Sequence, residues 1–135
     1  MIANLVLGSL AGWLVYWQVR PVFGVRFWRP EQLAQALAEG RSLQLVDVRT
    51  PGEFAAGHLP GSVSIPLAQL RRRTGEIDRE RPVVLICRSG HRAMQAYHIL
   101  RRRHYAQLVV LRGGVLHWQA YRRMRAGPGA AQGWQ

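Results

Sequence analysis

The chain contains a single cysteine, Cys87, and the residues around it favour a reactive thiol. The apolar run 82–87 predicts a buried strand that ends at this cysteine, and residues 92–103 predict a helix. A short loop between a strand and a helix N-terminus directs several backbone N–H groups at one centre and makes a cradle for an anion. Arg88 and Arg92 add positive charge, so we expect the thiolate to be favoured over the thiol. A structural cysteine, the alternative, would lie inside the apolar strand.

The elements that position this cysteine alternate between strand-like and helix-like patterns. The predicted strands are residues 25–28, 43–48, 63–65, 82–87 and 107–111. The predicted helices are residues 30–39, 51–56, 67–73, 92–103 and 115–123. Alternation of this kind predicts one α/β domain with a mostly parallel central sheet flanked by helices. In such sheets ligands bind at the carboxyl ends of the strands, which is where Cys87 lies.

Three motifs in this region resemble those of the rhodanese-type sulfurtransferases. The segment Cys-Arg-Ser-Gly-His-Arg at 87–92 is similar to the active-site loop of that family. The upstream stretch 47–66 resembles its N-terminal signature, and Leu-Arg-Gly-Gly at 111–114 with Trp118 resembles its closing motif. Together the motifs cover a rhodanese-like domain at residues 25–125, and the resemblance implies the three-layer fold of the family.

The resemblance also implies a chemistry, in which Cys87 is the catalytic nucleophile. Its thiolate would take the outer sulfur of thiosulfate or another persulfide donor, and a thiol or cyanide would then accept that sulfur. Arg88 and Arg92 are the expected partners of the anionic donor, although Arg92 could also, or instead, brace the loop. The predicted substrate-binding residues are Arg88, Ser89, Gly90, His91 and Arg92. Neither a metal nor a cofactor is expected, because the other metal-ligand types are scattered histidines.

Four upstream residues are predicted to support the pocket. Asp47 ends a predicted strand, and Arg49 and Glu53 have a spacing that would let them pair across a short turn. By resemblance these residues set the shape of the pocket rim. His58 lies in a predicted turn and is expected to be a hydrogen-bonding scaffold residue.

Two other functions compete with sulfur transfer. Phosphatases and arsenate reductases also place Cys and Arg around a loop, but with a longer spacing than the four residues that separate Cys87 from Arg92. This loop also lacks the acidic residue that would protonate a phosphate leaving group. The second competitor is a binding or sulfur-relay module with little thiosulfate activity.

The first twenty residues form a separate unit. Residues 2–19 carry no charge and would span ~27 Å as a helix, close to the thickness of a bilayer core of about 30 Å. We predict a transmembrane anchor at 1–20, followed by a linker at 21–24. The arginines that follow predict a single-pass topology with a cytoplasmic catalytic domain. A cleaved signal peptide and a buried helix are the alternatives.

The remaining features concern partners. Gly8 and Gly12 have a spacing that would let two anchors approach as a homodimer, although this pattern is weak in a single sequence. All 19 basic residues are arginine against 7 acidic residues, for a net charge of +12, which favours anionic surroundings. Nucleic-acid binding is disfavoured, because no recognition motif accompanies the arginines. A flexible tail is predicted at 126–135, where Gly and Ala predominate.

Overall fold

The computed structural model describes residues 25–127 and, in isolation, Gly12. Strands and helices alternate through residues 25–127 as predicted. The strands are β1 (Arg26–Trp28), β2 (Gln44–Asp47), β3 (Val63–Ser64), β4 (Val83–Ile86) and β5 (Leu108–Leu111). The helices are α1 (Pro30–Ala38), α2 (Pro51–Ala56), α3 (Leu67–Arg73), α4 (His91–Arg102) and α5 (Gly114–Ala126). A 3-10 helix over Thr74–Glu76 follows α3.

All five strands pair in parallel in one sheet with the order β1-β5-β4-β2-β3. The prediction of a mostly parallel sheet is therefore confirmed. Strand β4 lies at the centre and is buried along its whole length, because helices cover both faces of the sheet. Every strand ends at the same edge, so the loops that follow β2, β4 and β5 meet there.

Two apolar clusters fix the three layers. One face of the sheet packs against α3 and α4, with Leu70 and Leu100 fully buried. The other face packs against α1 and α5, with Leu33 and Trp118 in that core. Alternate residues along each strand supply the two faces, so this pattern follows from the two-residue period of a strand.

The short helix α2 is held in place by its cap. The side chain of Thr50 accepts a hydrogen bond from the Glu53 N–H (3.3 Å), and the Glu53 carboxylate accepts one from the Thr50 N–H (3.2 Å). Pro51 occupies the first helical position, where its missing N–H costs nothing. A helix of six residues would not be stable alone, so the cap determines where Glu53 projects.

Both predicted terminal segments extend beyond the described residues. The anchor at 1–20, apart from Gly12, and the linker at 21–24 lie outside them, as does the tail from residue 128 onward. Helix α5 continues to Ala126, three residues past its predicted end. In the described part of the chain, every helix is too short or too polar to cross a bilayer.

Candidate active site

Cys87 directly follows β4 at the carboxyl edge of the sheet, between the ends of β2 and β5. The residue is 1% exposed. Its sulfur accepts a hydrogen bond from the Gly90 N–H at 2.8 Å, which closes the loop around the sulfur atom. Gly90 has a φ of +121°, a conformation that side-chain-bearing residues rarely adopt. The loop therefore depends on glycine at this position to point its N–H at the thiol.

Helix α4 begins one residue later, at His91. The first N–H groups of a helix have no partner within it, and its N-terminus carries partial positive charge. Both effects stabilise a negative charge on the neighbouring Cys87 sulfur. Arg88, Ser89 and His91 are exposed, and among residues 25–127 the Arg88 side chain forms no hydrogen bond or ion pair. Its charge is therefore available to an approaching anion.

The N-terminus of α5 holds the loop through hydrogen bonds to its backbone carbonyls. The Val115 N–H donates to the Cys87 carbonyl at 2.8 Å, and the Leu116 N–H donates to the Arg88 carbonyl at 3.2 Å. Gly114, with a φ of +56°, lets these backbones approach, since a Cβ there would lie 2.2 Å from the Cys87 carbonyl oxygen. In the sequence this glycine belongs to the 111–114 segment that resembles the closing motif of the family. The sequence signal for its contact with the loop is its position beside Gly113, close after the end of β5.

Arg92 is bound to Glu53 rather than left free. Its Nη1 and Nη2 atoms donate to the two carboxylate oxygens of Glu53, at 2.6 and 2.9 Å. Through these hydrogen bonds Arg92 lowers the pKa of Glu53 from its ordinary 4.5 to about 2. Glu53 in turn raises the pKa of Arg92, with smaller contributions from Cys87 and Asp47. Of the two expected roles, Arg92 is thus seen in the one that braces the loop, tying α4 to α2.

The predicted pair between Arg49 and Glu53 is wrong. Arg49 binds Asp47 instead, with Nη2 to Oδ2 at 2.8 Å and Nε to both carboxylate oxygens at 3.0 Å. Asp47 is fully buried, so its charge requires a partner at close range, and Arg49 is the cation that folds back onto it. Arg49 Nη2 also donates to the Gly57 carbonyl at 2.7 Å, which ties the end of β2 to the end of α2.

His58 lies at the turn after α2. Its Nδ1 is 2.9 Å from the Phe54 carbonyl oxygen, and its ring stacks on that of Phe54 with centroids 3.8 Å apart. These contacts hold the turn that also receives Arg49. Asp47, Arg49 and His58 thus hold the end of β2 and the turn after α2 together, while Glu53 joins α2 to α4 through Arg92.

A cavity of about 240 Å³ opens beside the loop. Phe27 from β1 and Met94 from α4 line its apolar side, and Arg112 lines its polar side, next to Ser89 and Gly90. Phe27 is 46% exposed although it is aromatic. The cavity gives a small reactant room against the loop.

This arrangement can do nucleophilic sulfur chemistry. The buried sulfur accepts a hydrogen bond from the Gly90 N–H beside the N-terminus of α4, and the adjacent Arg88 is exposed, with no side-chain partner among residues 25–127. Among residues 25–127, no three His, Cys, Asp or Glu side chains are grouped so that they could hold a metal ion.

Comparison with known proteins identifies the family. The rhodanese-like domain family matches residues 29–121. A sulfurtransferase of Allochromatium vinosum is 41% identical over 88 residues, which cover 65% of this chain and 82% of that protein. Thiosulfate sulfurtransferase GlpE of Shewanella oneidensis is 31% identical over 87 residues, covering 64% of this chain and 85% of that protein.

The fold agrees with these sequence matches. The structure of a human single-domain sulfurtransferase superposes with a TM-score of 0.62 at 27% identity, covering 72% of this chain and 97% of that one. The family match contains the Cys87 loop, its Glu53 brace and most of the α5 support. The chain belongs to the rhodanese-like sulfurtransferase family.

Proposed function

We propose that this protein transfers a sulfane sulfur through a persulfide on Cys87. The observation that carries the proposal is the contact between the Cys87 sulfur and the Gly90 N–H, 2.8 Å long, in the loop that opens α4. A hydrogen bond to a charged acceptor is stronger than one to a neutral acceptor. The Gly90 N–H therefore favours negative charge on the Cys87 sulfur, first as a thiolate and then as a persulfide.

In the first half-reaction the Cys87 thiolate attacks the outer sulfur of thiosulfate. A new S–S bond forms to Cys87, the S–S bond of thiosulfate breaks, and its electron pair leaves with sulfite. Cys87 then carries a persulfide anion, and no proton has to move. A persulfide donor would react in the same way, with a thiolate as the leaving group. That a relative is named thiosulfate sulfurtransferase supports thiosulfate as a donor.

In the second half-reaction an acceptor nucleophile attacks the outer sulfur of the persulfide. Cyanide leaves as thiocyanate and a thiolate leaves as a new persulfide, while the electron pair of the broken bond returns to Cys87 as thiolate. Because sulfite leaves before the acceptor attacks, the enzyme alternates between the Cys87 thiolate and the Cys87 persulfide. We therefore expect ping-pong kinetics. Arg88 would hold the anionic donor, since its guanidinium has no partner in the described part of the chain.

The test is steady-state thiocyanate formation at varied thiosulfate and cyanide. Parallel double-reciprocal lines are expected, and Cys87→Ser should lower kcat by at least about a thousandfold while circular dichroism shows the fold retained. Intersecting lines, or a Cys87→Ser enzyme near the wild-type rate, would refute the persulfide route. Turnover with a protein persulfide but none with thiosulfate would favour the alternative, a dedicated sulfur relay.

We further propose that residues 2–19 anchor the domain in a bilayer, with the catalytic domain cytoplasmic. The support is the uncharged length of this segment and the arginines that follow it. The full chain should float with vesicles in alkaline carbonate, and a variant without residues 1–20 should not. Extraction of the full chain by carbonate would overturn the anchor.

A further inference from the structure

The arginines of this domain are not evenly distributed over its surface. Helices α3 and α4 each start at the Cys87 edge and return alongside the sheet, so their C-terminal ends lie at the opposite, amino-end edge. Those two ends carry the runs 71–73 and 101–103, all arginine. We call the surface that these six residues form the basal face.

The two runs form one continuous surface. The Arg103 Nη1 atom donates to the Arg71 carbonyl, and to Thr74 Oγ1 at 3.1 Å. Arg71 and Arg102 also line one groove of about 600 Å³ between α3 and α4. His98 and Gln95 complete its polar wall. The helix ends are thus held together by contacts between their own residues.

Arginine outnumbers acid at this edge: Glu76, Asp78 and Glu80 lie in the segment before β4, where Arg79 Nε also donates to the Arg103 carbonyl at 3.2 Å. Neither α3 nor α4 contains an acidic residue, and among residues 25–127 the six arginines form one ion pair, from Arg73 to Glu76 at 2.6 Å. Arg71, Arg72 and Arg102 are exposed, and their side chains have no hydrogen-bond or ion-pair partner among residues 25–127. Cations left unpaired at one surface attract an anionic partner.

The course of the chain indicates which anionic partner lies there. Val25, where the described domain begins, packs against the apolar core that contains Tyr105 and Leu108, next to the end of α4. The chain therefore enters the domain at the same edge as the basal face. Only residues 20–24 separate Val25 from the proposed anchor, and five residues span at most ~18 Å.

We infer that the basal face binds the anionic head groups of a membrane and holds the Cys87 edge towards the aqueous side. The inference rests on the proposed anchor and not on sulfur transfer. Arginines close to an anionic bilayer are attracted to its surface potential within a Debye length. The sheet then stands with its carboxyl edge directed away from the lipid, where a donor and an acceptor can reach the loop.

The test uses the full chain in lipid nanodiscs made of phosphatidylcholine, with and without phosphatidylglycerol. Phenylglyoxal modifies accessible arginines, and mass spectrometry gives the rate at each one. Modification of Arg71 and Arg102 should slow about fivefold in the anionic discs and recover in high salt. Arg88 and Arg112, at the opposite edge, are internal controls whose rates should not change. Equal rates at Arg71 and Arg102 in both kinds of disc would overturn the inference.

Matched variants separate the basal face from general charge effects. Arg71→Glu with Arg102→Glu should abolish the salt-sensitive protection of the remaining basal arginines. Arg122→Glu with Arg123→Glu makes the same charge change on α5 and should preserve it. Protection of Arg71 and Arg102 by added DNA or an acidic protein, with none from anionic lipid, would contradict a lipid partner. Carbonate flotation shows separately whether the anchor fails. If it does, the modification rates of the arginines can still be measured with the chain added to anionic vesicles.

Discussion

The substitution Gly114→Ala tests most sharply how the loop after Cys87 is supported. A Cβ at this position would lie 2.2 Å from the Cys87 carbonyl oxygen and 2.6 Å from the Arg88 carbonyl oxygen. Both atoms are backbone, so neither can rotate away as a side chain would. Either the loop or the start of α5 has to move, and each movement disturbs the position of the Cys87 sulfur.

Three contributions add to the expected cost. A residue with a side chain at a φ of +56° loses about 1–2 kcal/mol. Displacing packed backbone to relieve the contact costs about 1–3 kcal/mol. Loss of the hydrogen bond from the Val115 N–H to the Cys87 carbonyl costs about 1 kcal/mol more. We expect the free energy of unfolding to fall by about 3–6 kcal/mol, a large share of the stability of a small domain.

Two glycines provide controls for this measurement. Gly40 has a φ of +70° with no atom within 4 Å of a built Cβ, so Gly40→Ala isolates the conformational cost of about 1–2 kcal/mol. Gly52 is inside α2 with open space around it, so Gly52→Ala should be neutral or stabilising by up to about 1 kcal/mol.

The assay is denaturant unfolding of each full-length variant under identical conditions, together with kcat/KM for sulfur transfer. Gly114→Ala should lose stability beyond Gly40→Ala and should also lose activity, because the moved carbonyl belongs to Cys87. A Gly114→Ala protein as stable as Gly40→Ala, with wild-type kcat/KM, would refute this account of the support.

Two further predictions concern charge around the loop. Glu53 has its folded-state pKa lowered to about 2, so its pair with Arg92 stabilises the fold above pH 4.5 and this stabilisation is lost as the pH falls towards 2. Because both side chains are about 30% exposed, we expect only about 1 kcal/mol, and urea unfolding of Glu53→Gln should show a smaller acid-side loss than wild type. Arg88→Ala should raise KM for thiosulfate more than KM for an uncharged sulfane-sulfur donor such as an organic trisulfide, and equal changes would exclude a charge role.

Local patterns in the sequence were sufficient to predict the strands and helices and the loop that holds Cys87. The run 82–87 is apolar throughout, and a central parallel strand covered on both faces requires that composition. Cys87 and Gly90 are three residues apart, so the loop that brings them together is a local feature. The family resemblance rested on the same local segments.

The one wrong pair and the one contact that was not predicted both involve residues that are distant in the sequence. The spacing of Arg49 and Glu53 suggested a pair, but Glu53 binds Arg92, which lies 39 residues away. No periodicity reports that contact, since it depends on how α2 and α4 meet at the sheet edge. The support of Cys87 by α5 has the same origin, because the parallel pairing of β4 with β5 places Gly114 beneath the loop.

Intact-mass spectrometry of the full chain after exposure to thiosulfate tests the persulfide on Cys87 most directly. The account predicts a gain of one sulfur, ~32 Da, that disappears when cyanide or a thiol is added and never forms on Cys87→Ser. A gain that persists with the acceptor, or that also forms on Cys87→Ser, would contradict the proposed role of this cysteine.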